Sequence, residues 1–230
     1  MADCCLLYYI TDRSQFSGDE HARRHALLAK VAEAARARVD YIQLREKDLN
    51  TRELEILARE ALTVVRTGVP RRTENQELRT SLRTRLLINS RTDVALAAVA
   101  DGVHLRSDDI GPREVRAVAQ FSAHRPPATD HFLVAASCHS NEEVLRAESE
   151  GADFVVFAPV FEKRNTLGTQ PASLAALREA CRAKIPVLAL GGVTTENAAS
   201  CLNAGAAGMA GIRLFQENKI EDVARTLRAL

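Results

Sequence analysis

The sequence predicts a single (β/α)₈ barrel, in which eight parallel strands close into a ring that helices cover from outside. Three observations lead to this fold class. Short apolar runs alternate with amphipathic stretches along the whole chain, the apolar runs number eight, and no shift in composition divides the chain into halves. A length of 230 residues suits one such barrel, so we expect residues 1–230 to form one domain.

The predicted strands are almost continuous apolar segments, which is typical of a parallel sheet with helices on its faces. They span residues 6–11, 39–45, 85–89, 102–105, 132–137, 153–158, 185–190 and 208–212. Asn50 with Glu53, and Ser140 with Glu143, have the spacing of capping boxes that begin two of the intervening helices. Strict alternation of strand and helix predicts right-handed βαβ units. An open doubly wound sheet is the alternative, and the even spacing favours closure.

Composition and charge exclude several classes of function. Hydrophobic residues make up 46% and aromatic residues only 4%, so we expect a core built mainly of Ala, Val, Leu and Ile. A net charge of +1 attracts neither nucleic acid nor an anionic membrane. The arginine-rich segment 68–84 contains no aromatic residue, which favours a solvated loop over an RNA-binding patch. Segment 122–131 has the composition of a second surface loop.

The cysteines and the chain start predict the compartment. The five cysteines lack the spacing of a metal or redox motif. We expect no secretory signal and no membrane span, because no apolar run reaches about 18 residues. Reduced thiols in a cytoplasmic protein follow. Cys138 fits the role of a small buried hydrophobic residue.

Polar residues and glycines gather where the predicted strands end. In a barrel all the carboxyl ends of the strands open onto one face, which is where the active site lies. The conspicuous residues are Gln43, Arg45, Lys47, Asn89, His104, Asp109, Ser137, His139, Gly191, Gly192, Gly211 and Arg213. Their convergence predicts a site for phosphorylated small molecules at this mouth of the barrel.

The end of the second strand carries two cations. Because strand side chains alternate with a period of two, Gln43, Arg45 and Lys47 share one side. A guanidinium fork together with an ammonium group can hold a diphosphate and stabilise its charge as it departs. A frayed strand end with solvated charges is the structural alternative.

The ends of strands three and four offer amide and carboxylate groups. Asn89 fits either an amide contact to a ligand or a helix cap. Asp108 and Asp109 fit either Mg²⁺ ligation, with Asp109 as the principal candidate, or the N-terminus of the following helix. His104 lies within the strand, and a structural role is expected for it.

The remaining candidates follow strands five, seven and eight. Ser137 can donate a hydrogen bond to a phosphate, and His139 can exchange protons near neutral pH or be structural. Glycines let the backbone N–H groups approach an anion, although tight turns alone also require them. The predicted phosphate site comprises Gly191, Gly192, Gly211, Ile212 and Arg213.

Taken in order, these motifs resemble the thiamine phosphate synthase/TenI family of barrels over nearly the whole chain. The resemblance is carried by Tyr41-Ile42-Gln43-Leu44-Arg45-Glu46-Lys47, Ile88-Asn89, Asp101-Gly102-Val103-His104-Leu105, Ser137 with His139, Gly151-Ala152-Asp153, and Leu190-Gly191-Gly192-Val193. In this order and spacing the combination is specific to the family.

For a synthase, the resemblance implies that an aminopyrimidine-methyl diphosphate loses pyrophosphate and that a thiazole phosphate captures the pyrimidine cation. The residues that match the diphosphate positions are Gln43, Arg45, Lys47 and Asn89, while Ser137 matches a pyrophosphate contact. Asp109 matches a ligand of the cofactor Mg²⁺. Gly191 and residues 211–213 match the thiazole-phosphate site. The resemblance also suggests a homodimer.

Three positions depart from the synthase pattern. Ser90 stands where a second Mg²⁺ carboxylate is expected, and Arg213-Leu214 replaces a Ser-Ala pair. The loop after strand six lacks the usual Thr-x-Thr-Lys, so Lys163 or Arg164 would have to replace its cation, and residues 161–170 are a candidate lid. These changes lean toward the TenI branch.

The family resemblance therefore leaves three functions open. The TenI branch includes a thiazole tautomerase, in which His139 matches the acid/base histidine. The complete set of Gln43, Arg45 and Lys47 favours the synthase, because a tautomerase would leave it idle. The third function is non-catalytic binding of thiazole or thiamine phosphate.

Overall fold

Eight parallel strands in the computed structural model form a closed barrel, each hydrogen-bonded to the next along the chain and β8 to β1. The predicted (β/α)₈ fold is confirmed. The structure describes residues 5–67, 84–121, 131–161 and 173–230. Most of the predicted surface loops 68–84 and 122–131, the loop cations Lys163 and Arg164, and the candidate lid beyond Phe161 lie outside these described residues.

The elements alternate as predicted. The strands are β1 (Leu6–Ile10), β2 (Tyr41–Leu44), β3 (Arg85–Asn89), β4 (Gly102–Leu105), β5 (Leu133–Cys138), β6 (Phe154–Phe157), β7 (Val187–Ala189) and β8 (Gly208–Gly211). The helices are α1 (Glu20–Arg36), α2 (Thr51–Thr67), α3 (Thr92–Ala97), α4 (Pro112–Gln120), α5 (Asn141–Ser149), α6 (Ser173–Ala180), α7 (Ala198–Asn203), α8 (Arg213–Gln216) and α9 (Ile220–Arg228). A 3₁₀ turn, Arg13–Gln15, follows β1.

The apolar residues form two layers, because successive strand residues point alternately into the barrel and out to the helices. The outer layer is dominated by Ala, Val, Leu and Ile, as composition predicts. The barrel interior departs from that expectation. There the Tyr41 and Phe154 rings stack with centroids 4.6 Å apart, and Tyr8 meets each of them edge-on. The few aromatic side chains of the chain thus fill the barrel interior, where large side chains are needed.

The two predicted helix starts are present. The Asn50 side chain accepts the Glu53 N–H at 3.0 Å, and the Glu53 carboxylate accepts the Asn50 N–H at 3.1 Å. Ser140 caps α5 by accepting the Glu143 N–H at 3.2 Å. Here the Glu143 carboxylate reaches one residue further back, to the N–H of His139 at 2.5 Å. The cap therefore also holds the backbone of a candidate site residue.

The strand ends differ slightly from the predicted ranges. β2 and β7 are each shorter than predicted, and β5 continues through Cys138. Cys138 faces the helices and is buried, which raises the pKa of its thiol to about 12 and makes it unreactive. This confirms the expected role of Cys138 as a buried hydrophobic residue. In the part of the chain that the structure describes, no helix is long and apolar enough to cross a membrane.

Candidate active site

The predicted site residues follow the carboxyl ends of the strands and therefore share one mouth of the barrel. Two observations support this convergence. Ser137 and Asp109 line the same cavity, of about 180 Å³, between the loop after β4 and helix α5. The charges of Asp109 and Arg45 both act on the His104 ring from their separate strand ends.

A chain of hydrogen bonds crosses the barrel just inside this mouth. Gln43 Nε2 donates to Tyr8 Oη over 3.4 Å, Tyr8 Oη lies 3.0 Å from His104 Nδ1, and His104 Nε2 lies 2.8 Å from Ser137 Oγ. Gln43, Tyr8 and His104 are buried, whereas Ser137 is half-buried. Gln43 therefore lies on the predicted side of β2 but deeper than the cations, inside the barrel.

Burial sets the charge of His104. Desolvation lowers the pKa of the imidazole to about 3, with the charge of Asp109 raising it and that of Arg45 lowering it further. The ring is therefore neutral at physiological pH and carries one proton. The structural role expected for His104 fits this burial, and both ring nitrogens have a partner.

The hydrogen bonds around the ring assign its tautomer. Tyr8 Oη accepts from Gln43, and among the described contacts of this hydroxyl the acceptor for its own proton is Nδ1 of His104, which is then unprotonated. The ring proton then lies on Nε2 and is donated to Ser137 Oγ. The Ser137 proton is consequently directed to another acceptor, which makes Ser137 a donor toward the mouth.

The two cations follow β2 as predicted. Arg45 is half-buried and its backbone N–H donates to Thr11 Oγ1 at 3.0 Å, while Lys47 is exposed. Glu46, between them, is buried and accepts a hydrogen bond from Thr11 Oγ1 at 2.6 Å. Glu46 is thus held against the residues that follow β1 by this contact.

Asn89 ends β3 and does not cap the next helix. Its Nδ2 donates to Ser90 Oγ at 3.2 Å, and the N-cap position of α3 is Arg91, whose side chain makes no capping bond. Of the two interpretations of Asn89, the structure therefore excludes the cap. Ser90 has a φ of 61° and its N–H donates to the His104 carbonyl at 2.8 Å.

Asp109 is bound by a neighbouring arginine. One carboxylate oxygen accepts the Arg106 N–H at 2.8 Å, and the other accepts its guanidinium at 3.2 Å. The N-cap of α4 is Gly111, so Asp109 closes a turn and does not cap the helix. The carboxylate is only 13% exposed. Among the described residues, no group of three or more His, Cys, Asp or Glu forms a metal centre, although Mg²⁺ needs only one or two carboxylates.

His139 lies on the rim beside Ser137 and is exposed. Its Nδ1 is 2.6 Å from the Ala158 carbonyl oxygen, which can only accept, so Nδ1 carries a proton. In the neutral ring the lone pair is therefore on Nε2. This arrangement fixes both the tautomer and the orientation of a potential base.

Of the predicted phosphate glycines, Gly191 and Gly192 follow β7, and Gly211 ends β8. Gly191 and Gly192 have φ of 95° and 64°, in the region that favours glycine. A Cβ on Gly191 would lie 2.7 Å from the Pro159 backbone, so the chain after β6 packs directly on it. Ile212 is the N-cap of α8, a one-turn helix that begins at the exposed Arg213. The predicted short helix at this end is present.

The sequence patterns missed several residues of this site. Tyr8, Thr11 and Arg13 come from β1 and the turn after it, where no motif was recognised. Glu46 lies within a recognised motif, and its opposite parity is the one signal that separates it from the cations. Arg106 immediately follows β4, where the neighbouring aspartates are the more conspicuous signal.

The chain is similar in sequence and structure to known proteins. The sequence profile of the family described as thiamine monophosphate synthase matches residues 7–215. The chain is 36% identical over 225 residues to the thiamine-phosphate synthase of Methanoculleus marisnigri, covering 96% of this chain and 93% of that protein. It is 34% identical over 230 residues to the thiamine-phosphate synthase of Syntrophomonas wolfei, covering 97% and 95%. A solved thiamine phosphate pyrophosphorylase from Pyrococcus furiosus superposes with a TM-score of 0.73 at 27% identity, covering 97% and 94%.

Proposed function

Because this chain belongs to the thiamine monophosphate synthase family, we propose that it joins an aminopyrimidine-methyl diphosphate to a thiazole phosphate in thiamine biosynthesis. The bond between the methylene carbon and the diphosphate oxygen breaks, and both electrons leave with pyrophosphate. The lone pair of the thiazole nitrogen then forms the new C–N bond to the pyrimidine cation. No redox partner is needed for this exchange.

The pairing of cations with a hydroxyl donor carries the proposal. Arg45 lies close enough to His104, the partner of Ser137, for its charge to act on the ring, and the exposed Lys47 follows two residues later. A departing diphosphate gains negative charge, and preorganised donors and cations aimed at that charge lower the barrier. A proton shift on a thiazole would use neither cation, so this set favours the synthase.

The donor chemistry at the end of β4 fits the expected Mg²⁺. Asp109 would hold the ion together with diphosphate oxygens and water, since Mg²⁺ requires few protein carboxylates beside a phosphate. When bound, the ion would stabilise the charge that develops on pyrophosphate. Arg106 would have to share or release the Asp109 carboxylate.

The thiazole phosphate is proposed to bind at the opposite side of the mouth. Gly191, Gly192 and residues 211–213 would supply backbone N–H groups, with the Arg213 side chain adding a charge. This arrangement would direct the thiazole nitrogen toward the pyrimidine held on the β2–β5 side. The anionic group of each substrate would thus have its own binding site.

The direct test supplies both substrates with Mg²⁺ and measures thiamine phosphate and pyrophosphate by chromatography. We expect both products in equal amounts, and an Arg45→Ala variant should make them at least about tenfold more slowly. Pyrophosphate released without thiamine phosphate would overturn the coupling. Binding of thiazole phosphate with no product from either substrate would instead support the non-catalytic alternative.

His139 supports a second candidate, a thiazole tautomerase of the TenI type. The Ala158 carbonyl holds the proton on Nδ1, leaving Nε2 to accept a proton from a carbon of the thiazole ring. The test is exchange of that proton with deuterated solvent on a thiazole carboxylate phosphate. His139→Ala should abolish this exchange while phosphate binding persists, and unchanged exchange in the variant would rule out the assignment.

A further inference from the structure

The segment after β2 alternates in charge, and its carboxylates have their own partner. Arg45 and Lys47 have one parity, while Glu46 and Asp48 have the other. Both carboxylates bind the same residue, Arg13, from the 3₁₀ turn that follows β1. The charged segment is therefore held through its two carboxylates.

Arg13 fastens the segment through several groups at once. Its backbone N–H and its Nη1 donate to one Glu46 oxygen at 3.0 and 3.2 Å. Its Nη1 and Nη2 form a fork on the two Asp48 oxygens at 2.7 and 2.9 Å, and its Nε donates to Glu20 in α1 at 2.7 Å. A planar guanidinium suits this role because its five N–H groups have fixed directions.

Thr11 links this anchor, formed by Arg13 with Glu46 and Asp48, to the backbone of Arg45. Its hydroxyl donates to Glu46 Oε1 at 2.6 Å and accepts the Arg45 N–H at 3.0 Å, while its own N–H donates to the Gln43 carbonyl at 3.0 Å. Thr11, the residue after β1, thus continues the β1–β2 pairing past the last residue of β2, Leu44. The backbone that bears Arg45 cannot turn without breaking these bonds.

The anchor is buried. The Arg13 and Glu46 side chains are 5% and 2% exposed, whereas Asp48 is 70% exposed. Burial raises the pKa of Glu46, and the Thr11 and Arg13 hydrogen bonds oppose that rise. A buried ion pair of this kind contributes little net stability but admits few alternative geometries. Its effect is therefore on the orientation of the segment.

We propose that Thr11 and Arg13 are positioning residues, which hold the end of β2 so that Arg45 and Lys47 face a diphosphate at the mouth. This inference rests on the proposed diphosphate site and extends it to residues that touch no substrate. Removing the Thr11 hydroxyl should loosen the Arg45 backbone. Affinity for the diphosphate side then falls, while the thiazole-phosphate side is unaffected.

The test is calorimetric binding of inorganic pyrophosphate with Mg²⁺ to Thr11→Val and Thr11→Ser. Loss of one buried hydroxyl should weaken binding about three- to tenfold in Thr11→Val, and Thr11→Ser should restore it to within about twofold. Binding of thiazole phosphate should be equal in all three proteins. Equal pyrophosphate affinity in wild type and Thr11→Val would overturn the proposal.

Two control variants separate positioning from general destabilisation. Asp40→Asn neutralises the carboxylate that accepts the Leu7 N–H at the opposite end of the barrel, and Thr63→Val removes a hydroxyl on the exposed face of α2. Both should leave pyrophosphate affinity unchanged, even where the melting temperature falls. An equal loss of affinity in Asp40→Asn would overturn the positioning role.

Arg13→Lys provides a second route if Thr11→Val does not fold. Lysine keeps the charge but loses the fork on Asp48, so pyrophosphate binding should weaken while thiazole-phosphate binding persists. Unchanged pyrophosphate binding in Arg13→Lys would overturn the proposal. If the wild type binds pyrophosphate but makes no thiamine phosphate, the proposed reaction fails, and the binding comparison still decides the positioning role.

Discussion

His104 Nε2 lies 2.8 Å from the hydroxyl oxygen of Ser137, and this contact joins the barrel interior to its mouth. Tyr8 and Gln43 complete the chain behind the ring. With the ring neutral, the direction of each hydrogen bond along the chain follows from the acceptor of the Tyr8 proton, His104 Nδ1. Tyr8, two hydrogen bonds away, thus determines whether Ser137 donates or accepts at the mouth.

The first prediction concerns the tautomer of His104. Nitrogen NMR of the labelled protein should show protonation at Nε2 and a lone pair at Nδ1. Tyr8→Phe removes the hydroxyl that donates to Nδ1, so the preference for this tautomer should weaken and pyrophosphate affinity should fall about three- to tenfold. Tyr9→Phe is the matched control, because the Tyr9 hydroxyl donates to Gln216, which is not part of this series of hydrogen bonds. A ring protonated at Nδ1 in the wild type would contradict the assigned direction.

The second prediction is a dependence of stability on pH. The pKa of His104 is about 3 when folded and 6.5 in the unfolded reference, so below pH 6.5 the unfolded chain binds a proton that the folded chain does not. Stability therefore falls as the pH falls through this window, by up to ~1.4 kcal/mol per pH unit from this group. Urea denaturation between pH 7 and 4 should show a shallower loss in His104→Gln than in the wild type. Identical slopes would mean that His104 is protonated in the folded protein.

Periodicity predicted the barrel and the mouth, since both depend on which residues are apolar and where strands end. It also gave the correct side for Gln43, because parity alone fixes whether a strand residue faces the barrel. Depth was not predictable, and the burial of Gln43 depends on Tyr8 from a neighbouring strand. Arg13 and Glu46 meet across 33 positions. Contacts of that range arise only when β1 and β2 pair, and no local pattern records them.

The third prediction concerns the cations at the end of β2. Replacing Lys47 or Arg45 with Ala should lower kcat/KM for thiamine phosphate synthesis by at least about tenfold, because each stabilises the departing pyrophosphate. Arg59→Ala is the control, since Arg59 is exposed on α2 and pairs with Glu55. The loss should appear with the diphosphate as the varied substrate. Wild-type kcat/KM in both variants would remove the two cations from the mechanism.

The fourth prediction concerns competition for Asp109. Arg106 pairs with the carboxylate that is proposed to hold Mg²⁺. Arg106→Gln should therefore lower the Mg²⁺ concentration that gives half-maximal synthesis, because the ion no longer competes with a guanidinium. Asp109→Asn should raise that concentration. Full activity of the wild type in EDTA would exclude the metal role of Asp109.

The fifth prediction separates two effects of replacing Gly191 with alanine. Alanine there adopts a φ of 95° and also places Cβ 2.7 Å from the Pro159 backbone, whereas Gly151 has a similar φ of 84° but only the Arg116 side chain at 3.5 Å. Gly151→Ala should cost the backbone strain alone, of order 1–3 kcal/mol. Gly191→Ala should cost more, because the chain after β6 must move.

Gly191→Ala should also raise the KM for thiazole phosphate, since that movement displaces the proposed phosphate-binding backbone, while pyrophosphate affinity stays unchanged. Equal stability and an unaltered KM in the two variants would show that Pro159 yields freely and that Gly191 serves only the turn.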